Sequence, residues 1–155
     1  MSTHSNTRIR HAERADLPTI LALNAQLNPS DLPLPPAEQV EQVWGAILAN
    51  PIMHTFVAEQ AGRVVATCVL AIIPNLTRGT RPYGLIENVV VDQQARGGGI
   101  GTLLMRGALE FAWQRQCYKV MLMTGRAQAV GFYERAGFRS DEKFGLVAKP
   151  PRAGG

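Results

Sequence analysis

The stretch VVVDQQARGGGIGTLLM, residues 89–105, fixes the fold class and points to a ligand. Three valines, which favour extended backbone, run into a polar turn; Gly97, Gly98, Gly99 and Gly101 follow, and Leu103, Leu104 and Met105 resume at helical density. A turn stripped of side chains between a strand and a helix exposes bare backbone N–H groups, and the helix start adds partial positive charge. Phosphate is the guest such a turn suits.

Three phosphate-binding patterns compete for it. A Walker A loop requires Gly-Lys-Ser/Thr before its helix, whereas Gly101 is followed by Thr102 and Leu103. A dinucleotide fingerprint, Gly-x-Gly-x-x-Gly, fails on Thr102 if counted from Gly97 and on Leu104 if counted from Gly99. The third, Arg/Gln-x-x-Gly-x-Gly, is met by Arg96-Gly97-Gly98-Gly99-Ile100-Gly101.

Outward from this turn, elements of both kinds are legible. Residues 8–27 start as a short strand and become a helix with Asp16 as N-cap, Pro18 in its first turn, and Ile20, Leu21, Leu23 and Leu27 at helical spacing. The prolines of NPSDLPLPP, residues 28–36, exclude regular structure. A second helix is expected over Pro36 to Asn50, with Val40, Val43, Trp44, Ile47 and Leu48 on one face. A hairpin turning at Ala61-Gly62 follows and returns to Ile73, then a polar loop from Asn75 to Gly84 and the strand LIENVVV. The long helix runs from about Gly99 to Gln116, with Ile100, Leu103, Leu104, Gly107 and Phe111 on one stripe. YKVMLMT is a strand, Gln128 to Ala136 a short helix closed by Gly137, and Glu142 to Ala148 a terminal strand before the tail PPRAGG. Helices early, antiparallel strands in the middle and a strand–helix–strand unit late make one mixed α/β sheet domain over residues 1–155, with no repeat and no linker.

Composition narrows the class. The chain of 155 residues is 46% hydrophobic and 18% charged, neither a disordered nor a membrane composition. No stretch approaches the roughly 18 apolar residues of a spanning helix, and Met1 to Arg10 is too polar for a signal sequence, so a cytoplasmic enzyme or binding domain with no membrane partner is expected. Cys68 and Cys117 sit in apolar segments without metal-ligand spacing and are expected to be buried thiols, and no metal is expected. His4, His11 and His54 are scattered, the last placed to face a cleft. The net charge of +4 is unevenly spread: all but Arg8, Arg10 and Arg14 of the sixteen basic residues lie from Arg63 onward. Between Ala15 and Gly62 there is no Lys or Arg, only Asp16, Asp31, Glu38, Glu41 and Glu59, so the two parts face different partners. Nucleic acid is not among them, since no aromatics are interleaved with the basic residues.

Downstream, AVGFYERAGF, residues 129–138, follows the Ala-x-x-Phe-Tyr-Glu-x-x-Gly-Phe pattern, and ENVVVDQQARG leads into the glycine turn. With these two motifs in this order, the chain resembles the GNAT N-acetyltransferases from about Arg8 to Ala148, most closely between Glu87 and Phe138. The resemblance implies a GNAT-like fold, a mixed and mostly antiparallel central sheet flanked by helices. It implies direct acetyl transfer from acetyl-CoA to a primary amine of a small molecule or peptide, within a ternary complex; the alternative is a non-catalytic acyl-CoA sensor. Homodimers are frequent among relatives.

The same resemblance distributes roles over named residues. Arg96, Gly97, Gly98, Gly99, Ile100, Gly101 and Thr102 would hold the coenzyme pyrophosphate through backbone amides. Val89, Val90 and Val91, on a strand splayed by a bulge, would pair with the pantetheine arm, and a free N–H there would stabilise a developing oxyanion. Many relatives carry asparagine where this chain has Arg126, so the arm contact is replaced by a side chain able to reach phosphate. Ala129, Phe132 and Tyr133 complete the coenzyme site. An alkylammonium must lose a proton before it attacks, and Glu87 is the candidate base; Tyr133 is the candidate acid for the leaving thiolate. The acceptor pocket is expected among residues 28–36, the second helix and residues 75–84. The acidic Asp31, Glu38 and Glu41 would favour a cationic amine there.

Overall fold

The near-continuous apolar runs of MHTFVAEQ and RVVATCVL need a sheet buried on both faces, and the chain supplies one. In the computed structural model, which describes residues 6–152, five strands lie in the order β1 (Thr7–His11), β2 (Met53–Gln60), β3 (Arg63–Ile73), β4 (Tyr83–Val91) and β5 (Val120–Leu122). The first four are antiparallel neighbours; β5 runs parallel to β4, so the sheet is mixed and mostly antiparallel, as expected. Ala61 and Gly62, at φ 51° and 77°, form the β2–β3 turn, a pair of positive φ values that matches the twist of the hairpin.

Each face has its own core. Helices α1 (Leu17–Leu27) and α2 (Ala37–Ala49) cover one, where Leu17, Ile20 and Trp44 cluster with Val57. The other is covered by α4 (Ile100–Gln114), whose Leu104, Met105, Ala108 and Ala112 are fully buried. Phe111 of α4 meets Phe56 of β2 edge to face, with ring centroids 5.3 Å apart. Gly107 brings α4 close to β1, since a Cβ there would lie 2.8 Å from Ile9 Cγ2.

Residues 1–122 and 123–155 form two compact units, and the second contains a 3₁₀ turn at Ala127–Ala129 leading into α5 (Val130–Arg135). Gly137, at φ 103°, closes α5 as its left-handed C-terminal residue, donating to Glu134 O at 3.0 Å. Both cysteines are buried thiols. His4 and the last residues of the PPRAGG tail lie outside the described residues.

Several expectations are corrected. The segment from Asn75 to Gly84 is not all loop: Thr77–Thr80 makes one distorted helical turn, α3, with Arg78 and Gly79 left-handed, and β4 begins at Tyr83. Gly84 belongs to the strand because a Cβ would crowd Leu70 Cδ1 at 3.0 Å and Val120 Cγ2 at 3.1 Å. The segment 118–124 contributes only the three residues of β5. No strand forms over Glu142 to Ala148; Phe144, Leu146 and Val147 are largely exposed, so the segment gains no burial from an extended pairing. Asp16 precedes α1 without capping it: its carboxylate is taken by Arg10, at 2.7 and 3.1 Å, and by the Glu13 amide. On α2, Trp44 is buried, whereas Val43 is 55% exposed and Leu48 also reaches solvent.

Candidate active site

The strand that leads to the glycine turn carries a defect where the site needs one. Along the β3–β4 ladder, Val69 pairs with Glu87 and Thr67 with Val90, so Asn88 and Val89 stand opposite Cys68 alone. This is a β-bulge, and it holds Asn88 at φ 53°, a strained value for a residue with a side chain. On the other edge, pairing between β4 and β5 covers only Gly84 to Ile86. From Glu87 to Val91 the ladder has β3 on one side and no β5 on the other. The expected bulge is therefore present, and the strand edge beside it is unzipped.

Beyond Val91 the backbone is locked before it turns. Asp92 Oδ1 accepts from Gln94 N at 3.1 Å, Asp92 N donates to Val65 O at 2.8 Å, and Arg96 Nε donates to Val91 O at 3.1 Å. Gly97 and Gly99 then adopt φ 84° and 79°, conformations that require glycine, and neither Gly97 nor Gly98 would place a Cβ within 3.4 Å of a neighbouring atom. Gly99 is the N-cap of α4, and no side chain caps the helix. Amide donors in the first turn of a fifteen-residue helix are thus left for a ligand, and an anionic pyrophosphate fits the donor set. Ile100 and Gly101 are buried, which seats this turn firmly on the sheet.

Register places the candidate base. Thr55, Val69 and Glu87 form one cross-strand row on β2, β3 and β4, so their side chains share the sheet face covered by α1 and α2. Glu87 is exposed, which differs from the costly apolar setting expected of it. Beside this row lies a cavity of about 280 Å³ lined by residues of α1, α2, the 28–36 loop and the sheet. Asn24, Thr55, Thr67 and Asn88 are its polar wall; the rest is apolar, including Leu17, Ile20, Leu34, Val40, Trp44 and Val69. Thr67 Oγ1 donates to Phe56 O at 2.9 Å, whereas Thr55 Oγ1 and Asn24 Oδ1 are buried without a partner. Asp31, Glu38 and Glu41 do not line this cavity, and neither do residues 75–84. Nothing in the sequence singled out Asn24, Thr55 or Asn88; their polarity registers only once the fold juxtaposes them.

His11 and His54 are not scattered. Their rings approach at 3.3 Å between Nε2 and Nδ1, pack against Phe56 and Phe111, and line a second concavity of about 290 Å³. Burial first, then for His11 the nearby Arg115 cation and for His54 the charge of His11, lowers both from the ordinary value of 6.5. In the second unit, Tyr133 is partly buried and meets Phe132 at 4.9 Å and Phe138 at 6.0 Å between centroids. Arg126 N donates to Thr124 Oγ1 at 3.2 Å, and Ala129 ends the 3₁₀ turn before α5.

Comparison with known proteins agrees with this geometry. The model of the acetyltransferase (GNAT) family matches residues 17–138. Glucosamine 6-phosphate N-acetyltransferase of Trypanosoma brucei brucei is 36% identical over 138 residues, 87% of this chain and 90% of its own length. A solved structure from Agrobacterium tumefaciens C58, assigned as an acetyltransferase by inference, is 43% identical with a TM-score of 0.85, covering 92% of this chain and 99% of that one. The crystal structure of glucosamine-6-phosphate N-acetyltransferase from Arabidopsis thaliana is 25% identical, with a TM-score of 0.81 over 94% and 99% of the two chains. Relatives of this kind give no support to a non-catalytic sensor.

Proposed function

We propose, for a chain that belongs to the acetyltransferase (GNAT) family and transfers acetyl groups from acetyl-CoA to nitrogen, a specific division of labour among its residues. Acetyl-CoA supplies an activated thioester carbonyl; everything else is positioning and proton handling by the protein. The amides of the turn from Arg96 to Thr102 hold the pyrophosphate, with the guanidinium of Arg96 adding charge beside it. Val89, Val90 and Val91 offer the unzipped edge of β4 to the pantetheine arm, and the bulge at Asn88 turns backbone N–H groups out of the ladder toward the reacting carbonyl. In the second unit, Arg126, Ala129, Phe132 and Tyr133 contact the coenzyme.

Glu87 removes the proton from the acceptor ammonium, directly or through water, and Tyr133 protonates the departing thiolate. The cavity of about 280 Å³ beside the Glu87 row receives the acceptor, a primary amine of a small molecule or peptide. The identity with the Trypanosoma enzyme favours a second version of this reading, in which the acceptor is glucosamine 6-phosphate. The whole of residues 1–155 serves one acetyltransferase domain, which works in the cytoplasm and as a homodimer.

The observation that supports this reading most directly is the start of α4: a glycine N-cap with no capping side chain, placed next to an unzipped strand. Calorimetric titration of acetyl-CoA and a thiol-release assay with a panel of amines test it. Saturable binding with amine-dependent release of coenzyme A is expected, and Gly99→Val is expected to abolish the binding. Absence of binding to the wild-type chain would overturn the assignment.

A further inference from the structure

The wall chemistry of the acceptor cavity restricts what can enter it. Its lining contains no Lys, Arg or His. Most of its wall, α1, the 28–36 loop, α2 and Thr55 of β2, comes from a stretch between Ala15 and Gly62 that has no Lys or Arg at all, and β3 and β4 add only Thr67, Val69 and Asn88. Arg14, just before that stretch, is held at 3.8 Å by Glu41. A phosphate dianion buried against Leu, Ile, Val and Trp with no cation and no amide cradle would lose its hydration without replacement. An apolar group gains from the same walls.

The polar atoms describe the other end of the guest. Thr55 is 6% exposed, and its Oγ1, like Asn24 Oδ1, is buried with no partner although both residues line the cavity. Such oxygens accept a hydrogen bond from a guest's N–H or O–H group, and an ammonium can serve both. Glu87, in the same cross-strand row as Thr55 and Val69, adds negative charge on that face of the sheet. At about 280 Å³ the space falls just below the usual range of ligand pockets, roughly 300 to 1,000 Å³.

We infer that the acceptor is a primary amine on a compact apolar body, an alkylamine or arylalkylamine, and not a phosphorylated amino sugar. The inference rests on the acetyltransferase assignment above and selects its substrate class. Trp44 reports on it independently of turnover, because it lines the cavity while Trp113, the other tryptophan, lies exposed on α4.

The experiment has two arms on the full chain. Coenzyme A release is measured with hexylamine, phenethylamine, glucosamine and glucosamine 6-phosphate. Fluorescence of a Trp113→Phe variant is titrated with the same amines in the presence of coenzyme A. We expect kcat/KM for hexylamine or phenethylamine to exceed that for glucosamine 6-phosphate at least tenfold, with saturable change in Trp44 emission for the apolar amines only. Val40→Arg, which sets a cation in the wall, is expected to narrow that ratio while leaving acetyl-CoA binding intact. Preference for glucosamine 6-phosphate in the wild-type chain would overturn the inference and leave the acetyltransferase assignment standing. Acetyl-CoA binding with no acetylation of any amine would remove both.

Discussion

Glu87 and Tyr133 are where single atoms decide the proposed chemistry, and they fail in different ways. Glu87→Gln keeps shape and removes basicity, so kcat should fall by about a hundredfold. Acetyl-CoA affinity should hold; an unchanged kcat would assign the carboxylate a structural role. Tyr133→Phe should slow transfer more than it weakens coenzyme binding. Asp16 matters to stability instead. Its hydrogen bonds from Arg10, and then the Glu13 amide, hold its carboxyl below the ordinary 3.8 despite partial burial. A carboxylate depressed in the folded state stabilises above its unfolded value and loses that contribution as pH falls through the folded one. Asp16→Asn should therefore cost about 1–3 kcal/mol at neutral pH in denaturant titration. The deficit should shrink below pH 3.8, and a deficit constant to lower pH would contradict the cause. At this scale the proposed roles of Glu87 and Tyr133 come from motif position in the sequence. The sequence concealed Asn24 and Thr55, whose oxygens stand unpaired in a cavity that only tertiary packing creates.

Elements carry a different set of constraints. Helix α4 approaches β1 so closely at Gly107 that a methyl group there would meet Ile9 Cγ2 at 2.8 Å. Gly107→Ala should destabilise by about 1–3 kcal/mol, and a double-mutant cycle with Ile9→Ala should return non-zero coupling; strict additivity would mean the helix shifts freely. The histidine pair joins β1 to β2 under Phe111 of α4. Both imidazoles titrate below 6.5 in the fold, so the unfolded chain takes up protons first and stability declines as pH drops below that value. His54→Phe should flatten that part of the Tm–pH curve, and parallel curves would clear the pair of responsibility. The helices were legible because three- and four-residue spacing survives in α1, α2 and α4. The glycine in β4 was not, since Gly84 reads as a turn residue until Leu70 and Val120 are seen to crowd it. The apolar run at Phe144 to Val147 misled for the opposite reason: β-propensity needs a partner strand, and the described residues provide none.

For the molecule as a whole, charge and ligand are coupled. The basic residues from Arg63 onward suit the anionic coenzyme, whereas the acidic Asp31, Glu38 and Glu41 of the stretch before them stay outside the acceptor cavity. A ligand that binds only the folded form raises Tm with the logarithm of its concentration, so acetyl-CoA should stabilise the chain progressively; a flat response would contradict binding.

Half of β4 is also an unfinished seam. Rungs from Glu87 to Val91 are met on one flank only, and beside the bulge only exposed Glu87 and Asn88 stand guard. Seams of that sort recruit whatever extended polypeptide drifts past, including the neighbouring copy. The coenzyme, docked along it in the proposed manner, doubles as a seal. Protein stripped of coenzyme should accordingly turn turbid on gentle warming sooner than protein saturated with it, and equal light scattering from the two would show that something else already closes the seam.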